Sequence, residues 1–304
     1  MPLASPGDAE VIVQALCSGV SRGTETLIFR GAVPPSEYGR MRAPFQEGEF
    51  PAPVKYGYCM VGRVLQGPSE IVGRDVFCLH PHQDRFVIPR SAVHVLPTNV
   101  PASRAVLAAN LETALNGLWD AGILPGDRVT VIGAGSVGCL LAWLAARIPG
   151  CDVELVDINP QRIAIAAALG ARFALPGAAR GEANIVLHAS GTEAGANMAL
   201  QVAGFEATVV EMSWFGSRAV SLPLGEAFHS RRLILKSSQV GQVAAVRRAH
   251  HSTHSRLQLA LSLLTDAALD GLINSESRLV DLPQALQELS SGAGDVIMHR
   301  VRYD

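Results

Sequence analysis

Val129-Thr130-Val131-Ile132-Gly133-Ala134-Gly135-Ser136-Val137-Gly138 restricts the fold of this chain more than any other segment. Four strand-forming residues run directly into G-x-G-x-x-G, and an apolar helix is predicted from Ser136 to Arg147. In such a turn Gly133 permits the tight reversal, Gly135 lets the backbone approach a pyrophosphate, and Gly138 lets the helix pack against the strand. The anion would meet the helix N-terminus, where Ser136 and Val137 open the helix and unpaired N–H groups face it. A second strand, Val153 to Val156, ends on Asp157, 19 positions after Gly138. A carboxylate there accepts hydrogen bonds from an adenosine ribose and repels a 2′-phosphate, which predicts NAD over NADP. Ile158 and Arg162 complete this part of the expected cofactor site, with Arg162 placed to stack on adenine or soften the repulsion.

The segments after this unit keep its grammar. A helix is predicted from Pro160 to Leu169, and strands at Ile185–Leu187, Ala207–Val210 and Leu233–Leu235. Alternating strands and helices imply an α/β fold with a doubly wound, Rossmann-type parallel sheet. Ser190 and Gly191 end one of those strands at the carboxyl edge, where open α/β sheets bind cofactors. The first 118 residues read differently. Short strands are predicted at Val11–Leu16, Met60–Leu65, Arg74–Leu79 and Arg85–Ile88, with a long loop from Gly31 to Pro53 and a helix from Ala102 to Ala121. After Gly241, helices at Leu257–Leu264 and Pro283–Leu289 and a strand at Val296–Tyr303 are expected. A chain of 304 residues suggests two domains, here 1–118 with 242–304, and 119–241.

Composition removes other classes. A net charge of −2 gives no reason to bind nucleic acid or anionic membrane. The five cysteines show no C-x-x-C spacing, against both a disulfide framework and a cysteine-rich zinc site. No leader and no apolar run of about 20 residues is visible, so a cytoplasmic protein without a membrane span is expected. His250-His251-x-x-His254 lacks a third ligand and reads as solvated surface. Met212 to Gly216 could bring aromatic rings over a nicotinamide or simply pack.

A β-rich segment, a central dinucleotide unit and a returning C-terminal segment together resemble the medium-chain dehydrogenase/reductase superfamily. Gly19-Val20-Ser21-Arg22 matches its G-[IV]-C segment and Tyr56-Gly57-Tyr58-Cys59-Met60-Val61-Gly62 its G-H-E-x-x-G block. Gly73 to Val76 resembles the G-D-R-V turn, and Arg85 to Pro89 with Leu96-Pro97 the following strand region. The resemblance implies a GroES-like catalytic domain beside the Rossmann domain. It also implies contact of Thr113 with the nicotinamide, a homodimer paired through Leu233 to Val240, and an alcohol or carbonyl substrate. Where the family holds its catalytic zinc, this chain has Ser21, Tyr58 and Ala109 or Asn110, and the four-cysteine zinc lobe is absent. Hydroxyls are poor zinc ligands beside thiolate and imidazole, so no zinc is expected.

The wording around Ser21, Tyr58 and Thr113 is similar to the bacteriochlorophyllide a dehydrogenase-like branch, which suggests a tetrapyrrole as one substrate. Without a metal, a side chain or a water chain must take the hydroxyl proton. Ser21 and Tyr58 are expected to position the substrate oxygen, with Tyr56 and His82 for acid–base work; packing alone on one strand face for the tyrosines, which alternate with Gly57, and a surface loop for His82 are the plainer alternatives. Arg22 and Glu25 are expected to pair. A quinone or enone reductase, or a redox-sensing nucleotide binder without turnover, are the competing functions.

Overall fold

The computed structural model describes residues 3, 5–292 and 294–303. The chain divides into two compact units, Met1–Ala109 with Gln258–Asp304, and Asn110–Leu257.

The second unit is built on a six-stranded sheet. Its strands lie in the order Arg172–Ala174, Asp152–Val156, Arg128–Ile132, Ala183–His188, Ala203–Glu211 and Ile234–Ser237. Every neighbouring pair is parallel. Strands covered on both faces carry continuous apolar runs rather than alternation, and Val129, Val131, Leu155, Val186 and Leu187 are all buried. Each such side chain stabilises the fold by roughly 1.5–3 kcal/mol. The helix Ser136–Ala145 is apolar on every side and almost wholly buried, as a helix without a polar face must be. Two elements lie outside the sequence expectations. Strand Arg172–Ala174 is too short for a period to register, and helix Glu193–Val202 contains Gly195 and Asn197. That helix is started by its cap, since the Thr192 Oγ1 accepts the Gly195 N–H at 3.1 Å.

A seven-stranded sheet organises the first unit. Strand Glu10–Val20 pairs antiparallel with Met60–Gln66, with Arg85–Pro89 and with Met298–Arg302. It runs well beyond the predicted Val11–Leu16 because Cys17 to Val20 are also buried and paired. One face carries Val11, Val13, Val76, Phe86 and Ile88 into a common core. Val20 and Val301 instead meet Leu282 and Leu289 of helix Leu282–Ser291. The edge strand Ile273–Arg278 pairs parallel to Met298–Arg302; its sequence, INSESR, carries no apolar signal.

Three expectations are corrected. The single helix from Ala102 to Ala121 is two, Ala102–Ala105 and Ala108–Ala121. The Leu107 N–H bonds to Arg104 O, a tightened turn, while the buried Arg104 guanidinium is fixed by Asp270 at 2.7 and 2.6 Å. The Gly31–Pro53 stretch is not structureless: it holds a 3₁₀ turn at Pro35–Glu37, and its Glu47–Gly48 pairs with Val54–Lys55. Tyr56 and Tyr58 lie in irregular backbone rather than on a strand face. No helix among the described residues is long and apolar enough to cross a membrane.

Candidate active site

Strand Glu10–Val20 delivers Ser18, and Ser21 caps the helix Arg22–Phe29 that follows. The Ser21 N–H donates to Glu25 Oε1 at 2.8 Å, so a carboxylate of the first turn satisfies the amide at the helix N-cap. The other oxygen, Oε2, lies 2.9 Å from His82 Nε2, and these two side chains are only 4% and 6% exposed. On the opposite side of the ring, Nδ1 is 2.7 Å from Ser18 Oγ, which is 2.8 Å from the Tyr303 hydroxyl. A buried carboxylate needs such partners, because leaving one uncompensated costs several kcal/mol. The loop can bring His82 this close because residue 57 is glycine: a Cβ there would lie 2.8 Å from His82 Cδ2, on backbone with φ +126°. The His82 N–H also donates to Tyr56 O at 3.1 Å.

The Tyr58 hydroxyl hydrogen-bonds with Ser21, and burial, reinforced by Cys59, Tyr56 and Glu25, holds its pKa well above the usual phenol range. Burial and Glu25 also raise Tyr56. Both phenols therefore stay protonated near neutral pH and act as hydrogen-bond donors. The Cys59 thiol is likewise pushed well up by burial and Glu25. Ser21, Tyr58, Glu25 and His82 thus form a hydrogen-bonded set of hydroxyls, one carboxylate and one imidazole. Among the described residues no three His, Cys, Asp or Glu side chains converge to hold a metal. The set does not fit a tetrahedral zinc site.

Two further expectations change here. Glu25 does not pair with Arg22, whose guanidinium instead reaches Val296 O and Gly292 O, because the carboxylate faces inward to His82. His82 is not a surface histidine.

In the second unit the glycine turn is formed. Gly133 adopts φ +102°, with its Cα against the Ser190 backbone. A Cβ on Gly138 would lie 1.7 Å from Gly133 O, so no side chain fits there, whereas a Cβ on the exposed Gly135 would meet nothing within 4 Å. Ser136 and Val137 open the helix beside that space. Asp157 Oδ2 accepts the Ala134 N–H at 2.6 Å and Oδ1 the Asn159 N–H at 2.8 Å, which fixes the carboxylate at the rim of the turn. Ile158 beside it is 83% exposed, while Arg162 is buried. Thr113 is half-buried on helix Ala108–Ala121.

Ser190 Oγ lies 2.6 Å from His188 Nε2, and His188 Nδ1 lies 2.6 Å from Glu211 Oε2. The Gly191 N–H donates to Ser213 Oγ at 3.0 Å. From the Met212–Gly216 segment, the Phe215 ring centre is 6.2 Å from that of His188. Sequence reasoning missed Ser18, Tyr303, His188 and Glu211 as site residues. The signal for the last pair was strand register: His188 and Glu211 are aligned partners at the ends of adjacent parallel strands. A groove of about 560 Å³ in the first unit, lined in part by Ser275, Ser277, Glu288 and His299, holds none of the residues singled out above.

The chain is 25% identical over 225 residues to D-xylulose reductase A of Aspergillus oryzae, covering 69% of this chain and 60% of that protein. It is 28% identical over 194 residues to a zinc-type alcohol dehydrogenase-like protein of Haemophilus influenzae, covering 56% and 55%. A shorter stretch of 124 residues is 31% identical to sorbitol dehydrogenase of Bos taurus, covering 39% and 33%. The aligned part of the chain thus spans less than two thirds of the length of each of these curated relatives. No family profile matches it. Acetophenone reductase from Geotrichum candidum, solved with NAD, superposes with a TM-score of 0.77 at 16% identity, over 99% of this chain and 92% of that one. Galactitol-1-phosphate dehydrogenase from Escherichia coli gives 0.76 at 16%, over 99% and 95%. The fold is that of the medium-chain dehydrogenases. In medium-chain dehydrogenase terms, the second unit is the Rossmann part and the first the GroES-like part. By sequence the chain is thus similar to zinc-type alcohol dehydrogenase-like and polyol dehydrogenase proteins, and by fold to solved dehydrogenases.

Proposed function

We propose that this protein is an NAD-dependent oxidoreductase that moves a hydride between nicotinamide and an alcohol or carbonyl, without a catalytic zinc. In the oxidative direction a secondary alcohol and NAD⁺ give a ketone, NADH and one proton. The observation that carries the reading is the buried Glu25–His82 pair beside Ser21 and Tyr58. Tyr58 and Ser21 hold the substrate oxygen by hydrogen bonds, and the hydroxyl proton passes to His82 Nδ1 by way of the Ser18 hydroxyl, which gives up its own proton as it takes one, while Glu25 on Nε2 stabilises the resulting imidazolium. The glycine turn holds the pyrophosphate and Asp157 the ribose. NAD supplies the hydride acceptor and nothing else.

The branch resemblance supports a hydroxyethyl-bearing tetrapyrrole as one substrate to assay beside simpler secondary alcohols. A homodimer and a cytoplasmic location complete the proposal. The test combines metal analysis with one variant. Purified protein is expected to carry no stoichiometric zinc and to lose no activity to a chelator. His82→Gln is expected to lower kcat by about 10²-fold or more. One zinc per chain with chelator-sensitive turnover, or an unaffected His82→Gln enzyme, would overturn it.

A further inference from the structure

His188 and Glu211 have no part in the chemistry described so far, yet they form an acid–base pair at the second unit's carboxyl edge. His188 is fully buried, and its two ring nitrogens each have a partner at 2.6 Å, Glu211 Oε2 and Ser190 Oγ. From Ser190 the chain of hydroxyls continues outward. Ser190 Oγ is 2.9 Å from Thr192 Oγ1, and Thr192 is exposed. Ser190 Oγ also accepts the Thr192 N–H at 3.3 Å, and Thr192 Oγ1 the Gly195 N–H at 3.1 Å. Gly133 of the nucleotide turn packs directly on the Ser190 backbone, so this hydroxyl chain surfaces beside the turn.

We propose that His188, backed by Glu211, is a positioning residue whose protonation sets the direction of the Ser190–Thr192 hydroxyls and thereby the hydrogen bond offered to a bound dinucleotide. This rests on the nucleotide reading of the glycine turn. With a neutral ring, Nδ1–H donates to Glu211 and Nε2 accepts the Ser190 O–H. Ser190 Oγ, which already accepts the Thr192 N–H, then has a lone pair for the Thr192 O–H, drawing it inward. With a charged ring, Nε2–H donates to Ser190, Ser190 donates to Thr192 Oγ1, and the Thr192 O–H turns outward. The second state fixes that donor outward, toward an anionic or hydroxyl-rich ligand at the sheet edge. One proton, taken up at a side chain the ligand never touches, reverses two hydrogen bonds and turns one hydroxyl outward.

The surroundings single out this proton. Glu211 is held by a second contact, its Oε1 accepting the Ser213 N–H at 2.8 Å. On the neighbouring strand, Ile132 lies beside His188. Helix Glu193–Val202 places Gly195 against the ring, a Cβ there lying 2.7 Å from Nε2, while the Glu193 carboxylate is engaged with the Ser221 N–H. Arg218 is the nearby cation, but its guanidinium donates to Gly191 O at 2.8 Å and rests 5.7 Å from the Phe215 ring centre.

The experiment is NADH binding by calorimetry from pH 8 to 5.5 in buffers of different ionisation enthalpy. Wild-type affinity should rise about tenfold toward acid, with net proton uptake on binding, the effect of one added charge-assisted hydrogen bond. Ser190→Ala, which cuts the chain but leaves His188 in place, should bind NADH with a flat pH profile and no proton uptake. Glu211→Gln keeps the shape, removes the charge facing the ring, and should move the profile to lower pH. Binding with the same pH slope in wild type and Ser190→Ala would overturn the proposal while leaving the nucleotide reading intact. A flat wild-type profile would do the same. No NADH binding at any pH would remove both.

Discussion

His80 and His82 stand two residues apart and show how differently one loop can treat an imidazole. His82 gains a carboxylate and a hydroxyl. His80 gains mostly carbon: its ring stacks on Phe86 at 3.7 Å and on Phe45 at 5.7 Å, with one polar contact, Nδ1 to Pro81 O at 2.9 Å. Burial drives its pKa down from 6.5 to about 4, against a smaller upward pull from the Pro81 carbonyl. The folded ring stays neutral while the unfolded one titrates near 6.5, so the unfolded chain binds more protons between those values. The stability associated with His80 is therefore fully present above about pH 6.5 and is lost as pH falls toward 4, a difference of about 3 kcal/mol at 1.36 kcal/mol per unit. His80→Phe keeps the stack and cannot take the proton. Denaturant unfolding at pH 7 and pH 4 should show the variant losing less stability on acidification than wild type; equal losses would contradict the assignment. At this scale Ser21 and Tyr58 were picked out by the family resemblance alone, as the positions where that family holds its metal. It could not show that Glu25 meets His82, because the two are 57 positions apart and the loop carrying His82 has no periodicity to orient it.

Among the elements, the strand–turn–helix at Val129–Ala145 was legible almost to the residue, because each of its steps has a separate physical requirement. Strand needs apolar β-formers, the turn needs a residue tolerant of positive φ, and the helix needs a partner without a Cβ at the crossing. The two glycines that flank the turn's open space can be told apart by substitution. A methyl at Gly138 collides with Gly133 O and must displace backbone, costing about 1–3 kcal/mol. A methyl at Gly135 has open space and an ordinary backbone, φ −79° and ψ −175°, so Gly135→Ala should leave the melting temperature unchanged. It should nevertheless weaken NADH binding more than tenfold, since the methyl fills the approach to the helix N-terminus. Thermal melts read beside NADH titration decide this: unchanged affinity in Gly135→Ala would mean that no pyrophosphate approaches there. Elements governed by tertiary contacts were not legible. The break at Val106–Leu107 lies in a stretch where Ala105 to Ala108 are all fully buried, so no polar face marks an interruption. Strand Ile273–Arg278 is specified by pairing with Met298–Arg302 rather than by its own polar sequence.

For the molecule as a whole, the alternation of strand and helix and the return of the last segment to the first unit's sheet were both written in the order of elements. The association state has to be argued from edges. In the six-stranded sheet the outer strand Ile234–Ser237 pairs on one side only, with Ala203–Glu211. Its Ile234 and Leu235 are 55% and 40% exposed. An unpaired apolar edge is a template for another strand, and proteins that persist as monomers blunt such edges with charge, proline or a bulge. Here the one charged residue of the strand, Lys236, is drawn back to Asp120, its Nζ donating to Asp120 O at 2.8 Å, and so leaves the apolar pair uncovered. Two copies related by a two-fold axis would pair these strands antiparallel and join the two sheets into one, an arrangement in which the same patch serves both partners. The double variant Ile234→Lys, Leu235→Glu changes only exposed side chains, so each chain should fold with its far-ultraviolet spectrum intact. Light scattering after size exclusion should give twice the chain mass for wild type and the single-chain mass for the variant at the same concentration. A monomeric wild type, or a variant that stays dimeric, would show that this edge is not the interface.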